Sequence, residues 1–233
     1  MAFVSSDEKQ VKTLNEALQG VADFKAEASK TPDKWTEMAK GQGPGILFIT
    51  CSDSRVPPNL LTKMEFGDLF VLRNAGNMVP AYGVAHGGEA GTIEYAMLGL
   101  DIPNIIVCGH SKCGAMGALM APTPPAGLPV VTGWLEHAHR TRAVVDAKHP
   151  SAKQDERVAH AVEHNVLAQI QNLLTHPSVA ARVATGKTKI FGWIFDIEQA
   201  SLRAYDPAKK RFVELDASSA GFHWPMPDIE SKS

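Results

Sequence analysis

The chain has 233 residues, of which 44% are hydrophobic, and its formal net charge at pH 7 is −2. This length and composition are enough to bury one sizeable core, and the near-neutral charge gives no reason to expect nucleic acid or an anionic membrane as a partner. The longest apolar runs are as short as strands, whereas a membrane-spanning helix needs about 20 apolar residues, so no membrane segment is expected.

The N-terminal part of the chain is predicted to be helical. Its first ten residues, MAFVSSDEKQ, lack the basic and apolar segments of a secretory signal, so we expect a cytoplasmic protein. Apolar residues recur at helical spacing from Val11 onwards, and a second helix is expected over residues 29–40, interrupted by a proline. The helix breaker GQGPG then ends an N-terminal helical arm over residues 1–40. We expect the whole chain, residues 1–233, to form a single domain.

Short apolar runs alternate with helical patterns along the rest of the chain. Five runs indicate buried strands, at residues 46–50, 69–73, 104–108, 189–195 and 201–206. VPPNLL starts a short helix after the first strand. Further helical patterns cover residues 89–100, 114–120, 134–147 and 152–174. The alternation predicts an α/β fold with a mainly parallel central sheet flanked by helices, and a C-terminal tail over residues 217–233.

Two short motifs directly follow predicted buried strands. CSDSR begins at Cys51, and GHSKCG contains His110 and Cys113. In open α/β sheets the loops at the carboxyl ends of the strands converge on one crevice, so these three residues could meet. Zinc favours thiolate and imidazole ligands, and three protein ligands leave the fourth position open, as in catalytic sites. The chain's three cysteines are too few for a disulfide framework, which suits a reducing compartment and favours metal binding.

Asp53 and Arg55 lie two residues apart, so in an extended backbone their side chains project to the same side. An arginine can hold a carboxylate by a bidentate contact and keep it ionised, and Asp53 could then orient a water or hydroxide on the metal. Two alternatives stay open, because Asp53 could bind the metal as a fourth ligand or the two residues could form a structural ion pair. Cys108 lies inside an apolar strand, and we expect it in the core.

Four motifs together resemble those of the beta-class carbonic anhydrases: CSDSR at 51–55, RNAGN at 73–77, EYA at 94–96 and CGHSKCGA at 108–115. The resemblance implies a zinc enzyme that reversibly hydrates CO2 to bicarbonate and a proton through zinc-bound hydroxide. It implies one Zn²⁺ per subunit, held by Cys51, His110 and Cys113. It also implies that Arg55 keeps Asp53 charged and that Asp53 orients the hydroxide.

The resemblance further implies a narrow, apolar CO2 pocket, and it assigns to this pocket Gln42, Phe70, Ala75, Tyr95 and Gly114. In this family the residues that match Gln42, Phe70 and Tyr95 reach the site across a dimer interface. We therefore expect the N-terminal helices to pack on a partner subunit in a homodimer, or in a larger homo-oligomer such as a tetramer or octamer. Outside the family context, these three residues would be a loop amide and two core aromatics.

At one position this chain has a different residue from a subgroup of the family. That subgroup closes its site at low pH by placing the aspartate on zinc. That subgroup has a tryptophan three residues before the first cysteine ligand, and this chain has Phe48 there. We therefore predict the open form, with water on zinc. Two other functions stay as alternatives, namely hydrolysis of CS2 or COS on the same fold and a non-catalytic, zinc-binding scaffold.

Overall fold

The structure, a computed structural model, describes residues 14–84 and 87–225. The start of the first predicted helix, at Val11, and the end of the predicted tail, at residues 226–233, lie outside the described residues. Within those two described ranges, no helix is both long and apolar enough to cross a membrane.

The N-terminal unit of the chain, residues 1–43, contains the helices α1 (Leu14–Ala28) and α2 (Pro32–Met38). The second helix begins later than predicted, because a proline is tolerated in the first turn of a helix but not in its interior. Along α1 the apolar side chains of Leu14 and Val21 are largely exposed. The expected single domain with an N-terminal arm stays a prediction.

The second unit, residues 44–233, is built around one six-stranded sheet. Its strands are β1 (Ile46–Cys51), β2 (Leu69–Asn74), β3 (Asn104–His110), β4 (Lys189–Asp196), β5 (Ser201–Asp206) and β6 (Arg211–Glu214). The strand order is β2-β1-β3-β4-β5-β6, in which the first four strands are parallel and the last two are antiparallel. This mainly parallel sheet, flanked by helices, confirms the predicted α/β fold.

The helices of this unit connect the strands and cover the sheet. They are α3 (Pro58–Thr62), α4 (Gly88–Glu94), α5 (Gly114–Met120), α6 (Pro129–Leu135), α7 (His139–Lys148), α8 (Gln154–Leu173) and α9 (Pro177–Ala184). A π-helical turn, Tyr95–Gly99, continues α4, and 3-10 turns lie at Glu136–Ala138 and Ala217–Gly221.

Several predicted boundaries were wrong, and two elements were missed. The third strand continues to His110, because its last residues pair with β4 as far as Phe195. The helix predicted to begin at Trp134 starts earlier, at Pro129, and a 3-10 turn separates it from α7. The short elements α9 and β6 carried no prediction. Such short segments depend on tertiary pairing more than on their own pattern.

The side chains of the strands alternate between the two faces of the sheet. On one face Leu47, Ile49 and Val107 belong to the main core, which also includes buried residues of α5 and α8. On the other face Phe48 and Cys108 belong to a smaller cluster. The alternation follows from the two-residue period of a strand. It places Cys108 in the core, where burial raises the pKa of its thiol to about 12.

We expect Gly109→Ala to destabilise the protein, because a Cβ atom at this position of β3 would lie 2.9 Å from the Val166 Cγ2 atom of α8. Overpacking of this kind costs roughly 1–3 kcal/mol, which a lower midpoint of urea unfolding would reveal. Gly117→Ala in α5 is the matched control, because a Cβ atom there meets nothing within 4 Å. Equal stability of Gly109→Ala and the wild type would contradict this packing.

Candidate metal centre

Three potential metal ligands converge at the carboxyl ends of two neighbouring strands. Cys51 is the last residue of β1, His110 is the last residue of β3, and Cys113 directly precedes α5. Because β1 and β3 are adjacent and parallel, their carboxyl ends meet at one edge of the sheet. The ligand atoms of the three residues all lie within 4.8 Å of one another, and all three residues are buried.

The imidazole of His110 is oriented so that its Nε2 atom can bind a metal ion. Its Nδ1 atom lies 2.9 Å from the backbone oxygen of Ser111, and a carbonyl oxygen only accepts, so Nδ1 carries the proton. In this tautomer the Nε2 atom can offer a lone pair. This atom is fully buried and has no hydrogen-bond partner among the described residues. Since a buried polar atom without a partner is costly, the arrangement fits a metal ligand.

The two cysteines of the group differ in the ionisation that their surroundings favour. The pKa of the Cys51 thiol is lowered to about 4, chiefly by a hydrogen bond from Cys113 and further by backbone N–H groups, against the opposing effect of burial. The pKa of Cys113 is raised by that same hydrogen bond, by burial and by the charge of Cys51. These surroundings favour ionisation of Cys51, and two cysteine sulfurs beside an imidazole nitrogen are a donor set that suits Zn²⁺.

Asp53 and Arg55 form a two-point ion pair beside this group. Arg55 donates from Nε to Oδ1 of Asp53 at 2.9 Å and from Nη2 to Oδ2 at 2.7 Å. These bonds from Arg55, stronger than the opposing effect of burial, hold the pKa of the Asp53 carboxyl well below its usual range. The Oδ2 atom lies 3.8 Å from the free Nε2 atom of His110. An ionised acceptor therefore sits at the rim of the centre, and Asp53 is not among the converging ligands.

The sequence assigned no role to Arg73, the first residue of RNAGN, although the structure places it against the same loop. Its Nε atom donates to the backbone oxygen of Cys51 at 3.0 Å, and its Nη2 atom donates to that of Asp53 at 2.7 Å. Arg73 thus ties the neighbouring strand β2 to the loop that carries a ligand and the carboxylate. Its place in a motif beside the ligand motifs was the one signal that could have indicated this.

The five residues assigned to the substrate pocket fall into separate groups. Phe70 on β2 and Tyr95 on the π-helical turn pack against each other, with ring centroids 6.0 Å apart. Gly114 directly follows Cys113 at the start of α5, and Ala75, which is exposed, directly follows β2 at the start of an otherwise buried loop. Gln42 belongs to the N-terminal unit. Their roles in binding substrate stay predictions.

Comparisons with known proteins agree with this geometry. The family model described as carbonic anhydrase matches residues 46–202. The chain is 45% identical to a carbonic anhydrase of Pseudomonas aeruginosa, over 87% of this chain and 92% of that protein. It is 42% identical to carbonic anhydrase 1 of Escherichia coli O157:H7, over 88% of this chain and 94% of the relative.

Solved structures of the same family have a similar fold. The structure of the beta-carbonic anhydrase CcaA superposes with a TM-score of 0.85 at 42% identity, covering 88% of this chain and 92% of that one. One of two beta-carbonic anhydrases from Sordaria macrospora, described as tetrameric, superposes with a TM-score of 0.72 at 30% identity, covering 82% of this chain and 95% of that one.

Proposed function

Because this chain belongs to the beta-class carbonic anhydrases, whose general reaction is the hydration of CO2, we propose that it reversibly converts CO2 and water to bicarbonate and a proton with one Zn²⁺ per subunit. Cys51, His110 and Cys113 would hold the ion. The observation that carries the proposal is the buried, unpartnered Nε2 atom of His110, which lies in one group with two cysteine sulfurs. A neutral imidazole and two cysteines are the donors that zinc prefers.

When bound, Zn²⁺ would lower the pKa of water to about 7 and so supply hydroxide at neutral pH. The protein's own residues would orient this nucleophile. Asp53 could accept a hydrogen bond from it through Oδ2, the atom that lies 3.8 Å from Nε2 of His110. Arg55 keeps Asp53 ionised and fixes its direction through two donated hydrogen bonds. Overall, CO2 and water would give bicarbonate and a proton, which would leave to solvent.

The proposed CO2 pocket is formed by Gln42, Phe70, Ala75, Tyr95 and Gly114. An apolar pocket suits CO2, which is small and has no dipole. The packed rings of Phe70 and Tyr95 support an apolar wall. The backbone N–H of Gly114 directly follows a metal ligand, where it can approach a substrate oxygen.

A homodimer, or a larger homo-oligomer, is part of the proposal. Large apolar side chains are exposed on the elements before and after β2 in the chain, including Leu60 of α3 and Tyr95 and Leu98 of the π-helical turn, which are 67%, 51% and 67% exposed. Exposed apolar side chains that form a patch mark interaction surfaces in soluble proteins. A cytoplasmic location is also proposed, and it is supported by the three cysteines, all of which are buried and free of disulfides.

We further propose that the site stays open, with Asp53 off the metal. Both carboxylate oxygens of Asp53 are engaged by Arg55. Phe48, at the position where the closing subgroup has a tryptophan, is fully buried and packs edge to face against Trp193 at a centroid distance of 6.2 Å. A carboxylate oxygen bound to zinc at mildly acidic pH, detected by X-ray absorption spectroscopy, would contradict the open form.

The experiment that tests the proposed function is stopped-flow CO2 hydration with a pH indicator, on a sample whose zinc content and mass in solution are also measured. We expect one zinc per chain, a rate that disappears when a chelator removes the zinc and returns when zinc is restored, and the mass of a dimer or a larger oligomer. A full complement of zinc without CO2 hydration at alkaline pH would contradict the proposal. Turnover of CS2 or COS in that sample would indicate a hydrolase, and no turnover would indicate a scaffold.

A further inference from the structure

The peptide that joins Ala75 to Gly76 lies beside the candidate metal centre, in the loop that follows β2. Its N–H, which belongs to Gly76, points to Sγ of Cys51 at 3.4 Å. A planar trans peptide directs its N–H and its carbonyl to opposite sides. The direction of the Gly76 N–H is therefore fixed by whatever holds the carbonyl of Ala75.

That carbonyl accepts a hydrogen bond from an indole in a distant part of the chain. Trp134, near the end of α6, donates from Nε1 to the backbone oxygen of Ala75 at 2.8 Å, across 59 residues. Among the described residues, Trp134 and Cys51 are the hydrogen-bond partners of this peptide. The carbonyl of Gly76 belongs to the next peptide and is held separately by Asn165 of α8 at 2.9 Å. The indole and the sulfur thus hold the Ala75–Gly76 peptide from its two sides.

The local backbone by itself leaves this peptide free to rotate. Gly76 has a φ of +84°, and a residue without a Cβ atom restricts its own φ less than any other. Rotation of the peptide plane by half a turn would direct the Ala75 carbonyl, instead of the N–H, towards Cys51. The bond from Trp134 opposes this rotation, because the indole N–H would lose its acceptor. The indole is itself held in place, since Trp134 packs against the main core and meets the ring of His137 edge to face at a centroid distance of 5.1 Å.

We propose that Trp134 is a positioning residue of the metal centre, which aims the Gly76 N–H at the sulfur of Cys51 through the Ala75–Gly76 peptide. This inference rests on the proposed zinc site. The bond that the carbonyl accepts also polarises the amide, so the N–H becomes a stronger donor. A hydrogen bond to a metal-bound thiolate withdraws electron density from sulfur and stabilises its lone pairs. In a site with two thiolates, which largely neutralise the charge of the ion, this withdrawal keeps the metal electron-poor.

The test uses the full-length protein with Co²⁺ in place of zinc, because thiolate-to-cobalt charge-transfer bands report the energy of the sulfur lone pairs. Trp134→Phe removes the indole N–H and keeps an aromatic ring at this position. The Ala75 carbonyl then loses its donor and the N–H···S bond weakens, so we expect the bands to move to longer wavelength. In the zinc-loaded variant, we expect the Gly76 amide proton to exchange with solvent about 10-fold faster than in the wild type. NMR with isotope labels that select Ala–Gly peptides measures this exchange.

Trp193→Phe is the matched control, because it makes the same change at a tryptophan of β4 whose buried Nε1 atom has no hydrogen-bond partner among the described residues. Trp193 packs on the smaller cluster, on the other face of the sheet. This variant is expected to keep the wild-type bands and the wild-type exchange rate, even if both variants unfold at similar urea concentrations. Equal band shifts in the two variants, or no shift in Trp134→Phe, would overturn the positioning role.

If Trp134→Phe does not fold, the wild type labelled with fluorinated tryptophan takes its place. Fluorine makes the indole N–H a stronger donor, so the charge-transfer bands should move to shorter wavelength. The same label in Trp193→Phe should give the same shift, and unmoved bands in the labelled wild type would overturn the role of Trp134. Failure of the proposed function is distinct, since the unlabelled wild type would then bind no cobalt through thiolates or hydrate no CO2.

Discussion

Cys113→Ser is expected to lose zinc and CO2 hydration together. Serine keeps the shape of the side chain, but its hydroxyl is not ionised at neutral pH and is a poor zinc ligand. Only two of the three converging ligands, Cys51 and His110, would remain. Because the metal supplies the nucleophile, and enzymes typically accelerate reactions by about a millionfold or more, the rate should fall by at least about 1,000-fold. Zinc per chain after dialysis and the stopped-flow rate are the two measurements.

Cys108→Ser is the matched control for this change. Cys108 is also a buried cysteine of the same segment, and its Sγ atom lies 3.4 Å from the backbone oxygen of Gly109, an acceptor that a serine hydroxyl can also use. This variant is expected to keep one zinc per chain and a near wild-type rate. Retention of zinc and rate in Cys113→Ser would show that the proposed ligand set is wrong. Loss of zinc and of activity in Cys108→Ser as well as in Cys113→Ser would point to damage of the fold.

Asp53→Asn is expected to keep zinc and to lower kcat by about 100-fold. The asparagine side chain has the same shape, and position 53 is not among the three converging ligands. The asparagine amide nitrogen, however, must replace one of the two carboxylate oxygens. It replaces either Oδ2, which accepts from Nη2 of Arg55 at 2.7 Å, or Oδ1, which accepts from Nε. The ion pair is lost, and an ionised acceptor near His110 Nε2 is lost with it.

The pH dependence of this effect follows from the environment of the carboxyl. Arg55 holds the pKa of Asp53 well below its usual range, so Asp53 is ionised throughout the neutral range. The loss of kcat in Asp53→Asn should therefore be the same across that range. Asp206→Asn is the control, because it removes a buried carboxylate whose partner, Lys209, lies 3.0 Å away in another part of the sheet. A wild-type kcat in Asp53→Asn would refute the proposed role of the dyad.

The pattern of the chain predicted the sheet and the convergence of three potential metal ligands, because both depend on local signals. Apolar runs of strand length are distinctive when a strand is buried on both faces, and this placed five of the six strands. Parallel neighbouring strands end at the same edge, so ligands that directly follow two such strands converge whatever the rest of the chain does. Cys51, His110 and Cys113 were found in this way.

The tertiary structure alone decided the contacts whose partners lie far apart in the sequence. Arg73 donates to carbonyl groups of a neighbouring strand and its loop, and the spacing of a motif does not reveal a backbone acceptor. Asn165 of α8 donates to the backbone oxygen of Gly76 across 89 residues. Asn165 carried no prediction, and the packing of α8 against the loop after β2 is what buries it. The sequence determined which atoms can bind the metal, and the tertiary structure decided which backbone groups orient those atoms, because long-range hydrogen bonds follow from the packing of whole elements.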